Sequence, residues 1–379
     1  MESVSPSPYG PAMSFAASSS GRALSLRFYR REVFPRVASA LGGTPHAASH
    51  IGDGSDVLGY DDDVSDDHDF GPRVQIVLPE GVDPGPVLAA LRTLPTRDGD
   101  FPVFFTSTES SNGWEEARPA VTTAAALFTA RLGFDPAKGV RLTDWLSTPT
   151  QVLATVTAGE VFHDPAGLLT AARDAVRWYP DDVWRYVLAA GWLRVEQEEP
   201  FVARIGARGD DLASRVVAAR LVRDLMRLAL LLERRWAPYS KWLGRAYAEV
   251  SIAPLLTPLL AAALSAEGWR DRERAVHRAA AVLFDALNGL GLAGPINPDP
   301  IQFYDRDIRV SPAGEAVTGL IRTIQDPEIL TMIDSLGGRM DGLHRLPGAV
   351  DQAVDSVDVL TYPRMRRAVG KVLCPPDTL

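Results

Sequence analysis

Between Arg36 and Arg73 the chain has no lysine or arginine, and eight aspartates fall between Asp53 and Asp69. So many unpaired carboxylates are too costly to bury, so this run reads as a solvated loop between packed elements. It opens with Gly54-Ser55, ends with Asp67-His68-Asp69, and leads straight into the apolar segment RVQIVL, Arg73 to Leu78. Gly54 lets the backbone approach a phosphate closely, and Ser55 offers a hydroxyl and an amide. In an extended chain, residues two apart point the same way, so Asp67 and Asp69 set two carboxylates on one face. Such a pair resists joint ionisation unless a cation lies between, and Mg2+ accepts carboxylate oxygens together with substrate phosphates. His68 faces the opposite side and reads as a packing residue, while Asp61, Asp62 and Asp63 read as solvated turn residues.

Around this loop the pattern alternates. Residues 21–42 have helical periodicity, interrupted by Pro35 and ended by Gly42-Gly43. RVQIVL predicts a strand, residues 84–94 a helix, FPVFFTS from Phe101 a strand, and residues 117–128 a strand running into a helix. From about residue 140 helical periodicity dominates, with predicted helices over 143–158, 165–179, 181–204, 210–236, 239–250 and 254–290. Asp181-Asp182 and Asp210-Asp211 lie at helix starts, where negative charge suits the helix dipole. The stretch LASRVVAARLVRDLMRLALLLERR is the predicted spine of a helical bundle. The expected organisation is α+β: a flexible tail over 1–20, a small mixed-sheet α/β domain over 21–140, and a larger all-helical domain over 141–379.

Composition excludes several functions. A net charge of −9 and a pI near 5.3 do not suit general nucleic-acid binding. The single cysteine, Cys374, rules out a disulfide framework and a zinc site built on several thiolates, and it suits a reducing cytoplasm. No apolar run approaches the length of a membrane span. His46 and His50 lack the adjacent glutamate and third ligand of a zinc protease. The serines have no nucleophile-elbow context. Only three of the 39 basic residues are lysines, Lys138, Lys241 and Lys371.

A Gly-Ser followed by Asp-x-Asp just before an apolar strand is similar to the signature of the nucleotidyltransferase superfamily. More narrowly, the chain resembles the bacterial domain-of-unknown-function family 4037 from about residue 20 onward. The resemblance rests on GSDVLGYDDDVSDDHDFGPRV (Gly54 to Val74), YPDDVWRYVLAAGW (Tyr179 to Trp192), EEPFVAR (Glu198 to Arg204), RLVRDLMRL (Arg220 to Leu228), PYSKWLG (Pro238 to Gly244) and FYDRDIRV (Phe303 to Val310). It implies Mg2+ at Asp67 and Asp69, which are also the expected catalytic carboxylates, and a nucleoside triphosphate at Gly54-Ser55. Arg73 and Lys241 are further candidates for the phosphates, with Tyr239 or Trp242 placed to stack on a base. Superfamily members carry a third carboxylate on a later strand, just before the position of VTT here; this chain has Ala120 there. Glu115 or Glu116 replaces it only if the loop folds back.

In the helical half, Glu198 and Glu199 resemble by position the general base of antibiotic nucleotidyltransferases, and Glu198 is the candidate. Arg220, Arg223, Asp224 and Arg227 fall at helical spacing and read as an ion-pair network bracing the bundle. The expected function is Mg2+-dependent transfer of a nucleoside monophosphate from an NTP to a small polar acceptor. The alternative is a degenerate member that binds a nucleotide or metabolite without transfer, or that serves other chemistry in secondary metabolism. Neither a membrane nor general nucleic acid is an expected partner.

Overall fold

The computed structural model describes residues 20–62, 71–106, 115–117, 119–337 and 345–374. Residues 1–19 of the expected tail, Asp63 and the Asp67-His68-Asp69 segment lie outside the described residues. The chain is α+β and divides into two compact units, one of residues 1–121 with 159–166, the other of residues 122–158 with 167–379.

The first unit has helices α1 (Gly21–Phe28), α2 (Phe34–Leu41), α3 (Ser55–Leu58) and α4 (Gly85–Leu91). Its strands are β1 (Ala47–His50), β2 (Val74–Leu78), β3 (Arg97–Asp98), β4 (Phe101–Pro102), β5 (Phe104–Thr106), β6 (Glu115–Ala117), β7 (Pro119–Thr123) and β8 (Glu160–His163). The main sheet has the order β7-β2-β1-β8, and β1 runs antiparallel to both β2 and β8. Strands β3 with β4 and β5 with β6 form two small hairpins. Val74, Ile76 and Leu78 alternate inward from β2 and pack with Phe28, Val33 and Val37 of the N-terminal helical segment and with Val87 and Leu91 of α4.

Pro35 does interrupt the first helix. A π-helical turn, Tyr29–Val33, separates α1 from α2, and the amide of Phe34 donates to the Tyr29 carbonyl. Proline has no amide to donate and its ring crowds the carbonyl four residues back, and the wider turn relieves both. Gly42, left-handed at φ 55°, ends α2.

Strand β8 is the element that periodicity missed. It follows a segment read as helix and returns to the first unit to pair with β1. Gly159 makes the approach possible: its amide donates to the Val57 carbonyl at 2.9 Å. It adopts φ 73°, and a Cβ there would lie 2.0 Å from the His50 carbonyl oxygen.

The second unit holds α5 (Ala124–Leu132), α6 (Leu142–Ser147), α7 (Thr150–Thr157), α8 (Thr170–Asp174), α9 (Asp181–Gly206), α10 (Asp211–Leu232), α11 (Ser240–Ala248), α12 (Ala253–Ser265) and α13 (Trp269–Leu290). It continues with the strand pair β9 (Ile301–Gln302) and β10 (Arg309–Val310), then α14 (Ala313–Arg322), α15 (Pro327–Ser335), α16 (Val350–Ala353), α17 (Val357–Thr361) and α18 (Pro363–Leu373). Two predicted helices are each split. Pro149 separates α6 from α7, because proline suits a helix start and not an interior. Extended Gly268 separates α12 from α13. Asp181 and Asp182 do open α9, and the Asp210 side chain caps α10 by accepting from the Ala213 amide at 3.0 Å. The bundle core forms where α9, α10 and α13 meet: Trp192 stacks on Phe284 with centroids 4.2 Å apart. Fully buried Arg272 donates to Ser214 Oγ at 2.6 Å and Asp211 Oδ1 at 2.7 Å. No described helix is long and apolar enough to cross a membrane.

Candidate functional site

The Gly-Ser loop leaves the end of β1 at His50. Beyond that point Gln75 of β2 replaces the ladder: its Oε1 accepts from the Ile51 amide at 3.0 Å and its Nε2 donates to the Ile51 carbonyl at 3.1 Å. Gly54 then adopts φ 130° with ψ 146°, a conformation essentially confined to glycine, and Ser55 opens the short helix α3. A Cβ at Gly54 would lie 2.4 Å from Arg73 Nη2 and 2.3 Å from Asp56 Oδ1. Gly54, Ser55 and Arg73 are therefore brought together, with Ser55 itself buried.

A triad of His50, Asp56 and Arg73, the first two buried and not singled out by the sequence, holds this loop. Arg73 Nη2 meets Asp56 Oδ1 at 2.5 Å, and Arg73 Nη1 donates to the Asp53 carbonyl at 3.0 Å. His50 Nε2 lies 3.1 Å from Asp56 Oδ2. Burial alone pushes the Asp56 carboxyl up, but the hydrogen bond from His50 and the charge of Arg73 outweigh it and hold it at about 2. Asp56 is thus an anion whose charge is held by partners within the protein. Among the described residues no group of three His, Cys, Asp or Glu side chains could hold a metal ion. Asp61, read as a solvated turn residue, accepts from the Gly21 amide at 2.8 Å and ties the loop to the start of α1. His46 flanks strand β1 and His50 ends it, and His46 Nε2 meets the Tyr29 hydroxyl at 3.0 Å. Ala120 lies exposed on β7, beside β2 in the main sheet.

The remaining candidates belong to the helical unit. Lys241 is exposed on α11 with its ammonium 5.0 Å from the centroid of the Trp242 ring. Glu198 on α9 pairs with Arg220 at 3.6 Å. Its neighbour Glu199 points into the bundle, where Oε2 accepts from the Ser311 amide at 2.9 Å and hydroxyl at 2.6 Å. Burial pushes Glu199 up to about 7 despite those bonds. His277, 3.4 Å from Oε1, offers no counter-charge at neutral pH because burial lowers it to about 4. The arginines of α10 form the expected ion pairs: Arg223 with Asp224 at 3.8 Å and with Asp355 at 3.0 Å.

Asp56 stands directly after Gly54-Ser55, and His50 ends β1. A buried carboxylate in so acidic a stretch carries no local signature, because its partner Arg73 lies beyond the whole run. Glu199 differed from Glu198 by helical phase alone.

No curated protein matches the chain. Among solved structures, a nucleotidyltransferase-like protein from Exiguobacterium sibiricum 255-15 aligns over 75% of this chain and 83% of its own, at 12% identity and a TM-score of 0.29. The motifs from Tyr179 to Trp192, Glu198 to Arg204 and Arg220 to Leu228, with most of Pro238 to Gly244, fall within residues 145–243, and over those residues the chain matches the family described as domain of unknown function DUF4037.

Proposed function

We propose that the chain is a nucleotidyltransferase-like enzyme that binds an NTP at the Gly54-Ser55 loop and transfers its nucleoside monophosphate to a small polar acceptor. The observation that carries this reading is the loop itself. Its glycine-only conformation at Gly54 is braced by Arg73 and Asp56, so its shape is set before any ligand arrives. Arg73 is one quarter exposed, which leaves part of its guanidinium for a phosphate. Asp67 and Asp69 are the carboxylates proposed to hold Mg2+, which would neutralise charge on the triphosphate. In the transfer an acceptor hydroxyl oxygen forms a bond to the α-phosphorus and loses its proton to solvent, the bond from that phosphorus to the oxygen bridging to the β-phosphate breaks, and pyrophosphate leaves with the electron pair.

A second reading is favoured by one observation. The exposed side chain on β7 beside β2 is the methyl group of Ala120, which can neither ligate a metal nor take a proton. On that reading the protein binds the nucleotide or a metabolite without transfer.

Thermal unfolding with each NTP, with and without Mg2+, separates these. Nucleotide at a hundredfold excess over its Kd adds about 2.7 kcal/mol to stability. The expected result is an Mg2+-dependent rise in Tm that Asp67→Asn removes, with pyrophosphate released in the presence of a suitable acceptor. No rise with any NTP sinks both nucleotide readings. A rise without pyrophosphate release across an acceptor panel selects the second.

A further inference from the structure

Within the helical unit, α9, α10 and the segment around Asp351 enclose a groove of about 500 Å³. Its walls present Arg194, Arg220 and Arg223, with Asp351 and Asp355 facing them. Asp224, 7% exposed, lies behind these arginines as their shared counter-ion. Its carboxylate stands 3.9 Å from Arg194 Nε and 3.8 Å from Arg223 Nε, so it gathers the guanidinium groups without gripping either one bidentately. Arg220 meets Glu198 at 3.6 Å, beyond hydrogen-bond reach.

The groove therefore holds N–H donors that these carboxylates do not engage, although Arg194 Nη2 is spent on the Gln352 carbonyl. Each guanidinium carries five N–H groups in a rigid fork. Arg223 spends Nη1 on Asp355, and its buried Nε has no hydrogen-bond partner among the described residues. Asp355 is the weak member of the set. Its side chain is 79% exposed, and an ion pair with so exposed a carboxylate is weak. It holds a place on Arg223 that a stronger oxyanion can take.

We propose that this groove binds a phosphorylated small molecule, whose phosphoryl group displaces Asp355 from Arg223 and is shared with Arg194 and Arg220. One carboxylate satisfies a single fork, whereas a phosphoryl group has three terminal oxygens and up to two charges to share among three. The proposal concerns residues of the helical unit alone and stands whether or not the Gly54-Ser55 loop takes a nucleotide.

Calorimetric titration of the full chain with inorganic phosphate and with pyrophosphate tests it. EDTA in the buffer removes any Mg2+-dependent binding from the readout. Wild type binds. Asp355→Asn binds up to about fivefold tighter, since it removes the internal competitor. Arg223→Gln and Arg220→Gln each bind about ten- to a hundredfold more weakly, as expected for the loss of a charge-assisted contact. Arg220→Gln keeps the test valid if Arg223→Gln fails to fold, because Arg220 is half exposed and its ion pair is with Glu198. Ribose 5-phosphate and ATP, titrated in the same buffer, distinguish a sugar phosphate from a nucleotide as the source of the phosphoryl group. Absence of phosphate and pyrophosphate binding to both wild type and Asp355→Asn overturns the proposal. So does equal affinity in wild type and the folded arginine variants, or preferential binding of malonate.

Discussion

Asp56 in the first unit and Glu199 in the helical unit are both buried carboxylates, yet their acidities move in opposite directions. Asp56 sits between Arg73 and His50 and is held down at about 2. Glu199 receives two hydrogen bonds from Ser311 but no effective positive charge, and it rises to about 7. Burial alone raises both; what separates them is whether a cation is packed against the carboxylate. The first is a fixed anion that shapes a loop. The second is a group poised to titrate near neutrality inside a bundle.

Removing the cation from Asp56 breaks this contrast most sharply. Arg73→Met leaves a buried carboxylate short of its main counter-charge and costs about 3–5 kcal/mol, read from chemical denaturation at neutral pH. A loss below about 1 kcal/mol would mean that His50 alone suffices.

The pH dependence of stability sharpens it next. In the unfolded chain Glu199 ionises near its ordinary 4.5, and in the folded chain near 7, so between those values the folded state binds more protons. Its contribution therefore falls as pH rises from about 4.5 to about 7, by on the order of 3 kcal/mol, and is level above that. Asp56 has the opposite sign. Its contribution is complete above the ordinary 3.8 and is lost as pH falls toward about 2. Comparing denaturation of wild type and Glu199→Gln across pH 5 to 8 isolates the first slope, which the variant should lack.

The smallest effect is the most specific. At pH 5 Glu199 is already neutral, and the glutamine oxygen of Glu199→Gln can accept the same bonds from Ser311. The substitution should change stability by less than about 1 kcal/mol. A larger loss at that pH would show that Glu199 is ionised when buried.

Much of the fold was legible because its signals are local. Pro35 and Gly42 mark the helical interruption and stop, VQIVL reads as a strand, and Asp181 and Asp210 mark the starts of the two long helices of the bundle. Strand β8 was not legible, since EVFH has no periodicity of its own and is a strand only because Gly159 lets it lie against β1. In the site, the Gly54-Ser55 turn and the closeness of Arg73 to it followed from the motif. The triad did not, because His50, Asp56 and Arg73 are 6 and 17 residues apart along the chain and meet only when β1 pairs with β2.

The sequence by itself determined the helix starts at Asp181 and Asp210 and the stop at Gly42, that a glycine turn opens the acidic run, and which arginines share a face of α10. These depend on neighbours within a few residues, through backbone sterics, capping and helical phase. Tertiary structure decided the charge states. Whether a carboxylate such as Asp56 or Glu199 is a fixed anion or a neutral acid depends on its burial and on the cation packed against it, and both come from residues distant in the chain.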